Sequence, residues 1–201
     1  MTKQCREAIA DYIRANANPP DKFSHQARLY RLAARLGEGE VFDDDVLYAA
    51  AWMHDLGVFV GHRPTEVAEL ATWDHIGYAV SKTPEVLREC GFPPEKIAAV
   101  IEAIRTHMPS GEPVSFEGTL LRDADILEQI GAVGILRTVS KVGRDTRFTL
   151  FSEAIEVLAK NLAVLPHQLK LPVSRQEAAA RVKALEGFLE SAHEEAGGIP
   201  W

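Results

Sequence analysis

Apolar residues in this chain recur at intervals of three and four, as in Leu29, Leu32, Ala33 and Leu36, or Ile97, Val100, Ile101 and Ile104. That is the period of one helix face, and strand-type alternation is nearly absent. The spacing predicts helices over residues 3–16, 24–37, 43–56, 74–90, 94–107, 117–129, 131–141, 149–164 and 174–196, an all-α architecture. The breaks have physical causes: Pro19-Pro20 cannot continue the first helix, Gly37-Glu38-Gly39 ends the second, and Pro93-Pro94 opens the fifth. Ser24 and Ser174 are the expected N-caps, the latter backed by Glu177 in capping-box spacing. The segment from Gly57 to Thr72 carries Gly61-His62-Arg63-Pro64 and reads as a loop. At 201 residues with 46% hydrophobic content, a single domain over 1–201 is expected, with C-terminal helices over 149–196 packed on it.

Within this frame the dipeptide His54-Asp55 stands out, because it ends the apolar run Tyr48-Ala49-Ala50-Ala51-Trp52-Met53 and is followed by Gly57. An imidazole beside a carboxylate is a ready pair of divalent-metal ligands. Adjacent positions on a helix point about 100° apart, so the two can share an ion only if the helix ends there. The bland alternative is a buried ion pair, which desolvates both groups and gains less than apolar packing would. His25 and Arg28 lie three apart, on one helical face. The same spacing groups Arg122, Asp125, Glu128 and Gln129, while Asp123 shares a face with Ile126, Leu127 and Ile130 and reads equally as a structural contact.

The order His25, His54-Asp55, Asp125 resembles the HD superfamily of metal-dependent phosphohydrolases, and in particular the small stand-alone bacterial hydrolases of that superfamily. The resemblance rests on Ser24-His25-Gln26-Ala27-Arg28, on His54-Asp55-Leu56-Gly57 and on Asp123-Ala124-Asp125-Ile126, and runs over residues 24–143. It implies a compact HD-domain helical bundle and a divalent ion, Mn, Fe, Co, Ni, Mg or Zn, held by His25, His54, Asp55 and Asp125. In such families the aspartate after alanine is the ligand, which favours Asp125 over Asp123. His75 and His107 fall where several HD families place further histidines, implying a second metal or a contact to substrate phosphate. Two helix-terminal histidines are the plain alternative.

The implied reaction is hydrolysis of a phosphoester or phosphoanhydride in a small phosphorylated substrate, a nucleotide first, by metal-activated water. The implied catalytic residues are Asp55, Glu128, His75 and His107, with Glu128 positioning water or acting as base. Arg28, Arg122 and Arg137 are the expected phosphate contacts, since a guanidinium offers forked donors and stays charged. Arg137 lies in Gly131-Ala132-Val133-Gly134-Ile135-Leu136-Arg137, similar to a run that follows the final aspartate in the small HD hydrolases. The chain departs from nucleotide-pyrophosphatase-like relatives at Leu150-Phe151-Ser152-Glu153-Ala154 and at Leu56-Gly57-Val58-Phe59-Val60, where potential phosphate contacts are missing. A di-iron HD oxygenase and a non-catalytic HD-like sensory or interaction domain are the competing readings.

The formal charge of −7 argues against binding nucleic-acid polymers, which are held by clustered Lys and Arg. Cys5 and Cys90 offer no disulfide framework. No stretch approaches the roughly 20 apolar residues a membrane helix needs, and no signal peptide is visible. A cytoplasmic protein is expected. The C-terminal helix, with Leu185, Phe188 and Leu189 on one face, packs internally or forms a homodimer. His62 is ambiguous, and His167 and His193 lie outside the pattern.

Overall fold

The computed structural model describes residues 1–144 and 148–199. Among these residues the regular structure is helical, and no strand forms beyond an isolated bridge between Val60 and Arg63. The chain divides into two compact units, Met1–Ala124 and from Asp125 onward.

The first unit holds α1 (Lys3–Asn16), α2 (Asp21–Leu36), α3 (Asp44–Met53), α4 (Val67–Leu70), α5 (His75–Glu89), α6 (Ile97–Thr106) and most of α7 (Phe116–Glu128). α3 is the element the others surround. Its residues from Val46 to Met53 are all buried, and it packs against α1, α2, α5 and α6. A helix apolar on every side must be enclosed on every side, and Ala49, Ala50 and Ala51 let neighbouring backbones approach it. Leu47 and Met53 are fully buried, each removing about 1.5–3 kcal/mol of side chain from water.

The start of α3 is held by charge. Asp43 caps it by accepting from the Asp45 and Val46 amides, and Asp44 and Asp45 lie favourably at the positive end of the helix dipole. Arg6 of α1 donates to Asp44 Oδ2 at 2.7 Å and to Asp45 Oδ1 at 2.9 Å, and Lys96 reaches Asp43 and Asp45. The Arg6 guanidinium also covers the Tyr48 ring, 4.7 Å from its centroid.

The second unit contains α8 (Gly131–Val139), α9 (Phe151–Val164) and α10 (Pro172–Ala196), packed pairwise. Gly131 has φ +75°, and a Cβ there would meet the Arg181 Cβ at 2.9 Å. The turn into α8 therefore takes glycine on two grounds. Arg181 secures that turn from α10 by donating to the Leu127 carbonyl at 3.0 Å.

Both predicted serine caps are corrected. α2 begins at Asp21 behind Pro20, and α10 begins at Pro172 behind Leu171, so Ser24 and Ser174 lie inside their helices. Proline suits the first helical position because its missing N–H is not needed there. The Gly57–Thr72 segment, expected as a loop, holds a 3-10 turn over Leu56–Val58 and the short α4.

His62 pins that segment. One ring nitrogen, Nδ1, lies 2.9 Å from the Tyr78 hydroxyl and the other, Nε2, lies 2.9 Å from Asn16 Oδ1. A proton on Nε2 satisfies both contacts, donating to Asn16 and accepting from Tyr78. Burial, and then the Lys82 charge, hold its pKa below the ordinary 6.5. As pH falls, the unfolded chain takes up this proton first, so the stabilisation is complete above about pH 6.5 and is lost as pH drops through the lower folded value. Urea-unfolding midpoints taken between about pH 7 and 5 should fall more steeply for the wild type than for His62→Gln. Parallel curves would remove His62 from the pH response.

Candidate metal centre

α3 stops at Met53, and His54 follows as its cap, with Asp55 already outside helical geometry at φ −98°, ψ 12°. This ending frees two adjacent side chains from the 100° divergence that a helix would impose. α6 repeats the arrangement: it stops at Thr106, and His107 is the cap. Each histidine turns its Nδ1 onto the carbonyl three residues earlier, His54 onto Ala51 at 2.9 Å and His107 onto Ile104 at 2.6 Å. A contact to a carbonyl oxygen requires an N–H, so each ring carries a proton on Nδ1, and in the neutral imidazole this leaves the lone pair on Nε2.

His54, Asp55 and His107 each offer a ligand atom within 4.8 Å of the other two. The His54 and His107 rings stand edge to face, 5.0 Å between centroids, and His25 and His54 do likewise at 5.3 Å. His25, fully inside on α2, places Nε2 3.8 Å from Asp55 Oδ2. Burial alone would raise the Asp55 pKa, but the combined field of His54, Lys22, His25 and His107 holds the carboxyl well below its ordinary range. A concentration of imidazoles about one buried carboxylate fits a divalent cation of the borderline class.

His75 opens α5, behind Asp74, which accepts from the Gly77 amide at 2.8 Å. Burial, countered by the Asp55 charge, lowers its pKa. Gly57 sets this approach. A Cβ on Gly57 would lie 2.2 Å from the His75 carbonyl oxygen. Trp73 donates its indole N–H to the Gly57 carbonyl at 2.8 Å, binding the same two segments together.

Asp125, the first residue of the second unit, is buried on the last turn of α7, and its Oδ2 accepts from Gln129 at 3.1 Å. Asp123 is fully buried, with Arg122 Nη1 3.4 Å from its Oδ1. The arginines named from sequence each make contacts within the protein. Arg28 donates to Ser24 Oγ at 3.0 Å, Arg122 is buried and donates to the Pro109 carbonyl, and Arg137 donates to the Glu128 carbonyl and lies 3.6 Å from its carboxylate. Glu128 is buried and paired with Arg137. His167 and His193 are exposed. Lys22 was not singled out in the sequence, yet its Nζ stands 3.9 Å from Asp55 Oδ2. The predicted helix begins at residue 24 and leaves Lys22 outside it, whereas α2 begins at Asp21.

A family model described as the HD domain matches residues 23–130, more than half of the chain. The chain belongs to the HD-domain family. It is 33% identical over 126 residues to the uncharacterized protein YpgQ of Bacillus subtilis, covering 59% of this chain and 56% of that protein. It is 27% identical over 137 residues to the 3'-5' exoribonuclease YhaM of Listeria innocua, covering 65% and 44%. The match therefore spans about half the length of these relatives. The fold is similar to the crystal structure of YpgQ in complex with ADP, with TM-score 0.75, 24% identity and coverage of 97% and 96%. It is also similar to a predicted HD superfamily hydrolase from an uncultured Thermotogales bacterium, with TM-score 0.59, 26% identity and coverage of 95% and 88%. The all-α expectation and the family resemblance agree with these findings. Among the described residues no helix is long and apolar enough to cross a membrane.

The Gly57–His75 approach gives a direct test. Gly57→Ala should lower stability by about 1–3 kcal/mol, as overpacking against rigid backbone does. Gly187→Ala in α10, where a Cβ meets nothing within 4 Å, should instead gain up to about 1 kcal/mol from helix propensity. Denaturant midpoints of the two variants check both signs.

Proposed function

We propose that this HD-domain chain is a divalent-metal-dependent hydrolase of phosphoester or phosphoanhydride bonds in a small phosphorylated molecule, a nucleotide first among candidates. The observation that carries the reading is the convergence of His54, Asp55 and His107, with both histidine protons parked on helix carbonyls. In the proposal His25, His54, Asp55 and Asp125 hold one ion, and His75 and His107 hold either a second ion or the substrate phosphate. The solved complex of YpgQ with ADP supports a nucleotide, and the exoribonuclease relative is consistent with phosphodiester chemistry.

A bound divalent ion supplies Lewis acidity toward a phosphoryl oxygen and lowers the pKa of a water. The chain's own residues do the rest. The Ala51 and Ile104 carbonyls fix the orientation of the His54 and His107 rings, so no rotation is needed when a cation or phosphate arrives. Asp55, held anionic, contributes the charge that a dication needs. In the proposal His75, half-buried at the start of α5, meets the substrate phosphate.

Protein stripped with chelator should take up Mn²⁺, Co²⁺ or Ni²⁺ and then release phosphate or pyrophosphate from a nucleoside mono-, di- or triphosphate under nitrogen. His54→Ala and Asp55→Asn should lose the ion, measured by elemental analysis, and lower turnover by more than about a hundredfold, the scale expected when the group supplying most electrostatic stabilisation is removed. Full metal retention by both variants, or oxygen consumption without phosphate release, would overturn the reading.

A further inference from the structure

We propose that Lys22 is the cation that anchors the phosphate of the substrate in the first unit, the role that sequence reasoning gave to arginines. This rests on the phosphohydrolase reading above.

Lys22 and His25 lie three apart on α2 and therefore share one face. From that face both reach the same atom: Lys22 Nζ is 3.9 Å and His25 Nε2 3.8 Å from Asp55 Oδ2. The Lys22 separation is too long for a hydrogen bond. Among the described residues its ammonium has no hydrogen-bond acceptor, so its three donors remain available beside the carboxylate. The arginines differ in this respect. Arg28 spends donors on Ser24 within its own helix, and Arg122 is buried with donors directed at Pro109 and Asp123.

Accessibility separates Lys22 from Arg122 further. The Lys22 side chain is 24% exposed, whereas that of Arg122 is 3% exposed. Lys22 is thus close enough to feel Asp55 and open enough to meet a ligand from solvent. A compact ammonium on a flexible stem binds phosphate as a point charge and can follow the ligand. Its proximity to Asp55 also suits a group that must release its weak hold on a carboxylate when a phosphate dianion arrives. No acidic side chain of α2 between Lys22 and Leu36 competes for it.

The test uses the full chain, with Lys22→Met to remove charge while keeping length and Lys22→Arg to restore it. Calorimetry gives the Mn²⁺ affinity of each protein and then the ADP, inorganic pyrophosphate and adenosine affinities of the Mn²⁺-loaded forms. Unfolding midpoints confirm that the variants fold. We expect Lys22→Met to bind Mn²⁺ within about threefold of wild type and to lose about tenfold or more in ADP and pyrophosphate affinity, the size of one charge-assisted contact. Adenosine binding should not change, and Lys22→Arg should recover part of the loss. Unchanged ADP and pyrophosphate affinity, or a tenfold loss of Mn²⁺ affinity with no further phosphate effect, would overturn the proposal and make Lys22 a counter-ion of Asp55. Failure of the wild type to take up Mn²⁺ would count against the metal reading instead. Pyrophosphate binding to metal-free wild type and Lys22→Met would then decide the role of Lys22, and absence of binding to the wild type would reject it.

Discussion

The candidate centre depends on two hydrogen bonds that finish helices. The last carbonyls of any α-helix lack intrahelical donors, and α3 and α6 meet that need with the Nδ1 groups of His54 and His107. The same bonds fix the tautomer of each ring and aim its Nε2 lone pair away from its helix. Termination and ring orientation are therefore one event. An asparagine cap would also serve the helix, but it would not deliver a nitrogen lone pair held by the backbone.

Positioning these two caps together is a packing problem, and α3 solves it by being buried all round. Because Val46 to Met53 have no solvent-facing side, the helix cannot rotate or slide without exposing apolar surface, and the residue that follows Met53 inherits that constraint. The charged clamp of Arg6 and Lys96 on Asp43, Asp44 and Asp45 sets the other end. His75 arrives by a different device. Its backbone comes so close to Gly57 that any side chain at 57 would collide, which joins the segment after the His-Asp pair to the start of α5.

Much of this was legible in the sequence for physical reasons. Helical period survives in the longer elements, but it carries the third helix on to residue 56, whereas that helix stops at Met53; side-chain divergence gives only the condition that a helix must end at His54-Asp55 if the two are to share an ion. Helix starts were less legible, because serine and proline compete as start signals, and at Ser24 and Ser174 the proline-containing segment upstream prevailed. The pairing of Glu128 with Arg137 was hidden for another reason. It crosses the turn at Gly131, and a spacing of nine residues has no meaning on a single helix. Lys22 went unread because a lysine near a helix start is ordinarily a solvated charge, and only the fold brings it to Asp55.

The arrangement of cations has a further consequence. A guanidinium committed to backbone carbonyls, as Arg122 is to Pro109, and one paired with a buried carboxylate, as Arg137 is to Glu128, both stabilise structure at the expense of availability. Recruiting either to a ligand would leave a buried acceptor without its donor, a loss of about 1–3 kcal/mol that binding would have to offset. An ammonium resting 3.9 Å from a carboxylate carries no such debt. The physical distinction between a structural cation and a binding cation is thus the state of its donors before the ligand arrives, and in the first unit that distinction favours Lys22.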